Sequence, residues 1–256
     1  MTKFANYPSL NGTAVIISGG ASGIGESLVR NFAAQGAKVG FVDIAEDAGN
    51  RLAAELTGQG QTARFIACDI TDTAKYQAAI AEFASAHGDA MVLVNNAAHD
   101  QRHEWSDVTP EYWDDRMAVN LKHAFFAIQA VAPAMVKAGR GSIINTGSIS
   151  WMIMSPKIPI YETAKAAAHG LTRSMARELG KSGIRVNSLV PGWVMTERQL
   201  THWLDAEAEK HIDASQALAG RVYPDDVARM AMFLASDDSQ MISSQQFVVD
   251  GGWANA

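Results

Sequence analysis

Apolar positions along the chain follow two rhythms. Short, nearly continuous runs rich in Val and Ile occupy residues 13–18, 38–43, 63–68, 90–94, 142–146, 184–190 and 246–249. Runs without polar alternation suit strands covered on both faces. Between them lie longer stretches with apolar residues three and four apart, at 24–35, 45–57, 73–87, 110–138, 161–181 and 224–234. That spacing suits helices with one apolar stripe. Strand and helix alternate from end to end, which predicts an α/β fold: one seven-stranded parallel sheet with helices on both faces. The stretch 193–221 breaks the rhythm. It is far longer than the roughly 2–6 residues of an ordinary strand-to-helix loop, and it is read as a lid on a single domain spanning 1–256.

Composition narrows the function classes. The chain has 256 residues, 48% hydrophobic and 19% charged, and a net charge of −6. A mildly acidic chain without a basic run is a poor nucleic-acid binder, because such binding begins with phosphate neutralisation. No segment holds the roughly 18 uninterrupted apolar residues of a membrane helix. The opening MTKFANYPSLNG lacks a signal core, so a cytoplasmic protein with no membrane partner is expected. The one cysteine, Cys68, excludes an internal disulfide and a Cys-cluster metal site. It lies in an apolar strand and reads as an inert buried thiol. His87, His123, His169, His202 and His211 show no ligand spacing, and no metal is expected.

Directly after the first strand comes Ser18-Gly19-Gly20-Ala21-Ser22-Gly23-Ile24-Gly25, opening a helix. Gly19 suits a tight turn out of the strand, Gly23 the approach of a pyrophosphate, and Gly25 close packing of helix on strand. The helix N-terminus offers free N–H groups to phosphate. The motif thus predicts a Rossmann-type dinucleotide site, with a ligand-free glycine turn as the alternative. Asp43 ends the second strand 18 positions after Gly25, where an acidic residue bonds the adenosine ribose hydroxyls. A carboxylate there repels a 2′-phosphate, and neither Ala21 nor Ser22 supplies a cation, so NAD is preferred and NADP disfavoured. Asp43 could instead cap the helix near Ala45. Asp69, after the third strand, suits either the adenine amino group or a cap near Thr73.

Tyr161 and Lys165 stand four apart, on one face of a helix. An ammonium beside a phenol favours the phenolate, and the pair makes sense as a general acid–base. Alone, it could equally be a surface helix pair. Taken in order, residues 19–25, Asp43, Asn95-Asn96-Ala97-Ala98, Asn120, Ser148, Tyr161-x-x-x-Lys165 and Pro191-Gly192-Trp193-Val194-Met195-Thr196 resemble the short-chain dehydrogenase/reductase family across nearly the whole chain. Two positions depart from the family pattern: Ser18 replaces a usual Thr and Ala98 a usual Gly.

The resemblance implies a catalytic tetrad of Asn120, Ser148, Tyr161 and Lys165. Tyr161 takes the hydroxyl proton while hydride leaves the same carbon for the nicotinamide. Ser148 holds the reacting oxygen. Lys165 binds the nicotinamide ribose and, with the positive nicotinamide ring, depresses the Tyr161 pKa, and Asn120 positions a water linking Lys165 to solvent. The resemblance also assigns Gly19, Ser22, Gly23, Ile24, Gly25, Asp43, Ile44, Asp69, Ile70, Asn96, Ala97, Tyr161, Lys165, Pro191, Gly192, Val194 and Thr196 to the dinucleotide. It further implies a homotetramer, built through long helices such as 161–181 and the C-terminal strand with its Trp253.

Three strings, NNAAHDQRHEW at 95–105, GSISW at 147–151 and YETAK at 161–165, with the ending LASDDSQMISSQQFVVDGGW, are most similar to bacterial NAD(P)-dependent aldose 1-dehydrogenases. These oxidise sugars such as xylose, arabinose, galactose or fucose to the lactone. Ser148 and Tyr161 would meet the reacting carbon. Trp151 and Trp193 offer flat faces to a sugar ring, and His99, Asp100, Arg102, Glu162 and Gln199 offer polar groups to its hydroxyls. Alternatively, the tryptophans pack the lid and 99–103 is a solvated loop. Reduction of a 3-oxoacyl or keto-acid substrate is the rival within the family; a dinucleotide-binding regulator without turnover is the rival outside it. Asp43 and the polar loop argue against the first, the intact tetrad against the second.

Overall fold

The computed structural model describes residues 4–254. Seven strands, β1 (Ala14–Ser18), β2 (Lys38–Asp43), β3 (Thr62–Ala67), β4 (Val92–Asn95), β5 (Gly141–Thr146), β6 (Ile184–Pro191) and β7 (Gln246–Val249), form one sheet in the order β3-β2-β1-β4-β5-β6-β7. All neighbours pair in parallel. Strand order reverses between β1 and β4, and ligands in such sheets bind at the carboxyl ends beside that reversal.

Alternation within β1 explains both layers. Val15 and Ile17 face a core that includes Leu28 and Phe32 of α1 (Gly23–Ala34) and Val227 and Ala231 of α9 (Pro224–Ala235). Ala14 and Ile16 face a core with Phe83 of α3 (Thr73–His87) and Ile128 of α5 (His123–Ala138). The central strands are therefore sealed on both sides, as their composition predicts. The edge strands β3 and β7 are only half-buried, because each has one neighbouring strand.

The expected helix at 110–138 is interrupted. α4 (Pro110–Met117) leads into a π-helical turn at Ala118–Lys122, which continues as α5. The whole run is long and apolar enough to cross a membrane by length and composition, with 44% of its most apolar window buried inside the fold. α2 (Glu46–Gly58) and α6 (Pro159–Leu179) match their expected positions within two residues. The irregular stretch at 193–221 holds two helices, α7 (Glu197–His202) and α8 (Ala206–Ser215), and is closed at its base by a bridge between Val194 and Val222.

Candidate active site

A cleft of about 1490 Å³ runs along the carboxyl ends of the strands, from Asp43 and Asp69 at one end to Ser148 and Tyr161 at the other. Every residue expected to bind the dinucleotide lines it. Gly19 leaves β1 with φ of 68°, the left-handed region that favours glycine. At Gly25 an added Cβ would lie 1.7 Å from the Gly19 carbonyl oxygen, so α1 seats directly on the loop. Ser22, the N-cap of α1, makes no side-chain capping bond, which leaves the first-turn N–H groups turned to the cleft. These features fit a pyrophosphate.

The loop is tied on both sides. The Ser18 hydroxyl accepts from the N–H groups of Asn96 and Ala97, each at 3.1 Å. Asn96 Nδ2 donates to the carbonyls of Ser18 and Gly19, both at 3.1 Å. Asn96 therefore shapes the loop while its backbone borders the cleft. Asp43 Oδ2 accepts from Ala21 N–H and Oδ1 from Ala45 N–H, each at 3.0 Å. The turn-stabilising role and the cleft-lining position thus coexist in one carboxylate, each oxygen of which keeps a second lone pair. Asp69 instead holds Thr71, and Asp72 caps α3. The adjoining Ile44 side chain is 77% exposed, and it forms an apolar lip at the Asp43 end. Cys68 also borders this end of the cleft; its thiol is pushed up by burial and by the neighbouring Asp69 and Asp72.

At the other end, Lys165 Nζ is buried and donates to the Thr146 carbonyl at 2.7 Å. It lies 5.6 Å from the Tyr161 ring centroid. Burial lowers the Lys165 pKa to about 8, an effect that the Asp100 carboxylate opposes. The Tyr161 phenol is raised above its ordinary value, first by burial and then by Asp100; its hydrogen bond with Ser148 and the charge of Arg198 pull the other way. The expected depression of the Tyr161 pKa joins Lys165 with the positive nicotinamide ring, and Lys165 without that ring does not bring it about. The ammonium is itself destabilised by burial and spends a proton on Thr146, so desolvation prevails. Ser148 Oγ accepts from Ser150 N–H at 3.1 Å, which fixes the hydroxyl in the cleft wall.

Asn120 sits in the π turn, buried behind the wall and not among the residues lining the cleft. Its Oδ1 accepts from His99 N–H at 2.8 Å, and its Nδ2 donates to the carbonyls of His99 and Arg116. It staples the loop after β4 to α4. Arg116 Nη1 donates to His99 Nδ1 at 2.7 Å, which places the imidazole proton on Nε2. Burial and the charges of Arg198 and Arg116 lower the His99 pKa.

Of the residues expected to read a sugar, His99, Asp100, Trp193 and Gln199 line the cleft with Ser148 and Tyr161. Trp151 and Arg102 do not. The Arg102 guanidinium instead lies 3.9 Å over the Trp203 ring, and Glu162 Oε1 accepts from Ser155 N–H at 2.7 Å. Trp193 stacks on Trp253, centroids 6.4 Å apart and planes 16° from parallel, with His211 edge-on to Trp253. Trp253 is thus buried within its own chain, at 9% exposure, so a partner subunit is not needed to cover it. Trp253, Arg116 and Arg198 are cleft residues that sequence reading missed. α8 contributes no lining residue; its Ile212 packs with Val190, Met195 and Trp253.

A family model described as enoyl-(acyl carrier protein) reductase matches residues 19–254. The D-xylose 1-dehydrogenase of Caulobacter vibrioides is 48% identical over 97% of this chain and 98% of its own. The chain belongs to the short-chain dehydrogenase/reductase family. Another similar member, a probable galactose dehydrogenase of Rhizobium meliloti, is 43% identical over 97% of both chains. Among solved members, a gluconate 5-dehydrogenase from Burkholderia cenocepacia, in complex with NADP and tartrate, superposes with a TM-score of 0.90 at 33% identity, covering 97% of this chain and 98% of that one. A 3-oxoacyl-[acyl-carrier protein] reductase with bound NAD from Brucella melitensis does so with 0.89 at 31%, covering 100% and 98%. Membership makes the protein an oxidoreductase of this family.

Proposed function

We propose that the protein is an NAD-dependent aldose 1-dehydrogenase, oxidising the C1 hydroxyl of a cyclic sugar to the aldonolactone. The observation that carries this reading is the near-full-length identity of 48% to a D-xylose 1-dehydrogenase. A cleft wall that sets His99, Asp100 and Gln199 opposite Ser148 and Tyr161 agrees with it. The nicotinamide, when bound, supplies the acceptor for the hydride leaving C1. Ser148 donates to the C1 oxygen and fixes it, and Tyr161, as phenolate, removes its proton, so that the C1–O bond becomes a carbonyl. Lys165 holds the nicotinamide ribose and adds positive charge beside Tyr161. Asn120 keeps the loop after β4 in place and, from the π turn, carries the water that joins Lys165 to solvent.

The cofactor preference rests on Asp43. Its carboxylate is held at two backbone amides, and Ala21, Ser22 and Ile44 beside it carry no cation. Arg30, which also borders the cleft, is engaged by Glu26 and Glu55. A 2′-phosphate therefore meets uncompensated negative charge. The stretch 193–221 acts as the substrate lid through α7, and the functional molecule is a cytoplasmic homotetramer.

A second reading, reduction of a 3-oxoacyl thioester, is favoured by the description of the matching family model; the polar wall opposes it. Incubating the pure protein with NAD and a panel of aldoses, and with NADPH and 3-oxoacyl thioesters, decides between them. Aldose-dependent NADH formation with lactone as product is expected. Turnover of the thioesters alone would overturn the proposal.

A further inference from the structure

The two rims of the cleft meet at one carboxylate. Arg198 Nη2, on α7, lies 3.0 Å from Asp100 Oδ1, on the loop after β4. Gln199 Nε2 donates to Asp100 Oδ2 at 3.3 Å. The Arg102–Trp203 stack adds a second tie between the same loop and the chain just beyond α7. Asp100, Arg198 and Tyr161 all line the cleft, and the pair is only partly exposed, with side chains at 43% for Arg198 and 30% for Asp100.

Titratable groups near Tyr161 lie on several elements. Lys165, on its own helix, is bound to Thr146 and destabilised as a cation. Glu162 turns away to Ser155. His99 accepts from Arg116, whose other nitrogens pair with Asp115, and its pKa is lowered by burial and then by the charges of Arg198 and Arg116. His123, on α5, is kept neutral by burial and by Lys165. Among the described residues, the charged group that opposes ionisation of Tyr161 is Asp100, and Arg198 acts in the opposite direction.

Resting on the acid–base reading of Tyr161, we propose that Arg198 is a positioning residue for the reaction: seated on Asp100, it masks the carboxylate that would hold Tyr161 protonated. When α7 lifts away, Asp100 stands unmasked and the base is suppressed. When α7 sits over the sugar, the mask returns and Tyr161 ionises more readily once the bound nicotinamide adds its positive charge. Closure of the substrate pocket and easier ionisation of the base are then coupled.

The test is the pH dependence of kcat/KM for the best aldose at saturating NAD, in Arg198→Gln, Arg198→Lys, Asp100→Asn and the Arg198→Gln/Asp100→Asn double variant. Arg198→Gln should move the acid limb to higher pH by about half a pH unit, at the low end of what a nearby charge does because the pair is partly exposed. That is about a threefold loss below the limb and little loss on the plateau. Arg198→Lys should restore the limb. The double variant should return it toward the wild-type position, since no carboxylate then needs masking. A pH-independent loss in Arg198→Gln that the second substitution does not relieve would show that Arg198 only holds the lid, and would overturn the proposal. Tyr161→Phe serves as the separate control. If it keeps its activity, the acid–base reading itself fails; if it is inactive while Arg198→Gln leaves the limb in place, only the masking role fails.

Discussion

At Tyr161 and Lys165, burial drives both side chains toward their neutral forms. A neutral phenol is no base, so the free protein holds Tyr161 protonated until further positive charge arrives. Without dinucleotide, the difference in ultraviolet absorbance between wild type and Tyr161→Phe should show no tyrosinate as pH rises through the ordinary phenol range near 10. With NAD present, kcat/KM should rise with pH, because the ionised form does the work. Tyr161→Phe should lower kcat by about 10²–10⁴, the usual yield of a general base, with dinucleotide affinity retained. Asp43→Ala should cut the NAD over NADP preference by about tenfold or more, the size of losing one charge-assisted hydrogen bond. It should also weaken NAD, because the Ala21 N–H loses its acceptor; kcat/KM with each cofactor measures both. The glycine loop and Asp43 were legible in the sequence because their spacing is local to one strand–turn–helix unit. The double duty of Asp43 was not, since it depends on which way the Ala21 amide points.

At the scale of elements, strands were the easiest to read, because parallel strands sealed on both faces lose their polar alternation. The edge status of β3 and β7 left little trace, because each keeps enough apolar residues to look central. The π turn at Ala118–Lys122 left none: the apolar spacing runs through it unbroken, and the added residue per turn shows only in the backbone. Its consequence is local, since it is where Asn120 turns to grip His99. The irregular stretch 193–221 was visible as a break in rhythm, but its contacts were not. Gln199 and Asp100 are 99 positions apart, and Arg198 on a polar helix reads as solvated. α7 faces the cleft while α8 buttresses it, so substitutions on the two should differ. Trp193→Ala and Gln199→Ala should each raise KM for the aldose or lower kcat, by about tenfold for the aromatic wall, and leave NAD affinity nearly unchanged. Wild-type turnover in both would show that α7 does not read the sugar.

For the molecule as a whole, one group of exposed apolar side chains lies along the long helical run. Trp113 on α4 and Phe125 and Val136 on α5 are 42%, 44% and 45% exposed. The half-buried edge strand β7 adds a second face. Two such faces suit two kinds of two-fold contact, which together close a tetramer. Analytical ultracentrifugation at micromolar concentration should show the tetramer, and Phe125→Glu should shift it toward smaller species. A monomer throughout would reject the assembly. The pairing of Trp193 with Trp253 has a different kind of consequence. Two indoles with centroids 6.4 Å apart are close enough for their electronic transitions to couple, and a twist between the transition moments splits them into paired bands of opposite sign in far-ultraviolet circular dichroism. Trp193 begins the stretch proposed as the lid and Trp253 belongs to the body, so under that proposal the amplitude of the couplet is an optical ruler for lid position. It comes without any label, and it can be followed in real time as a sugar enters.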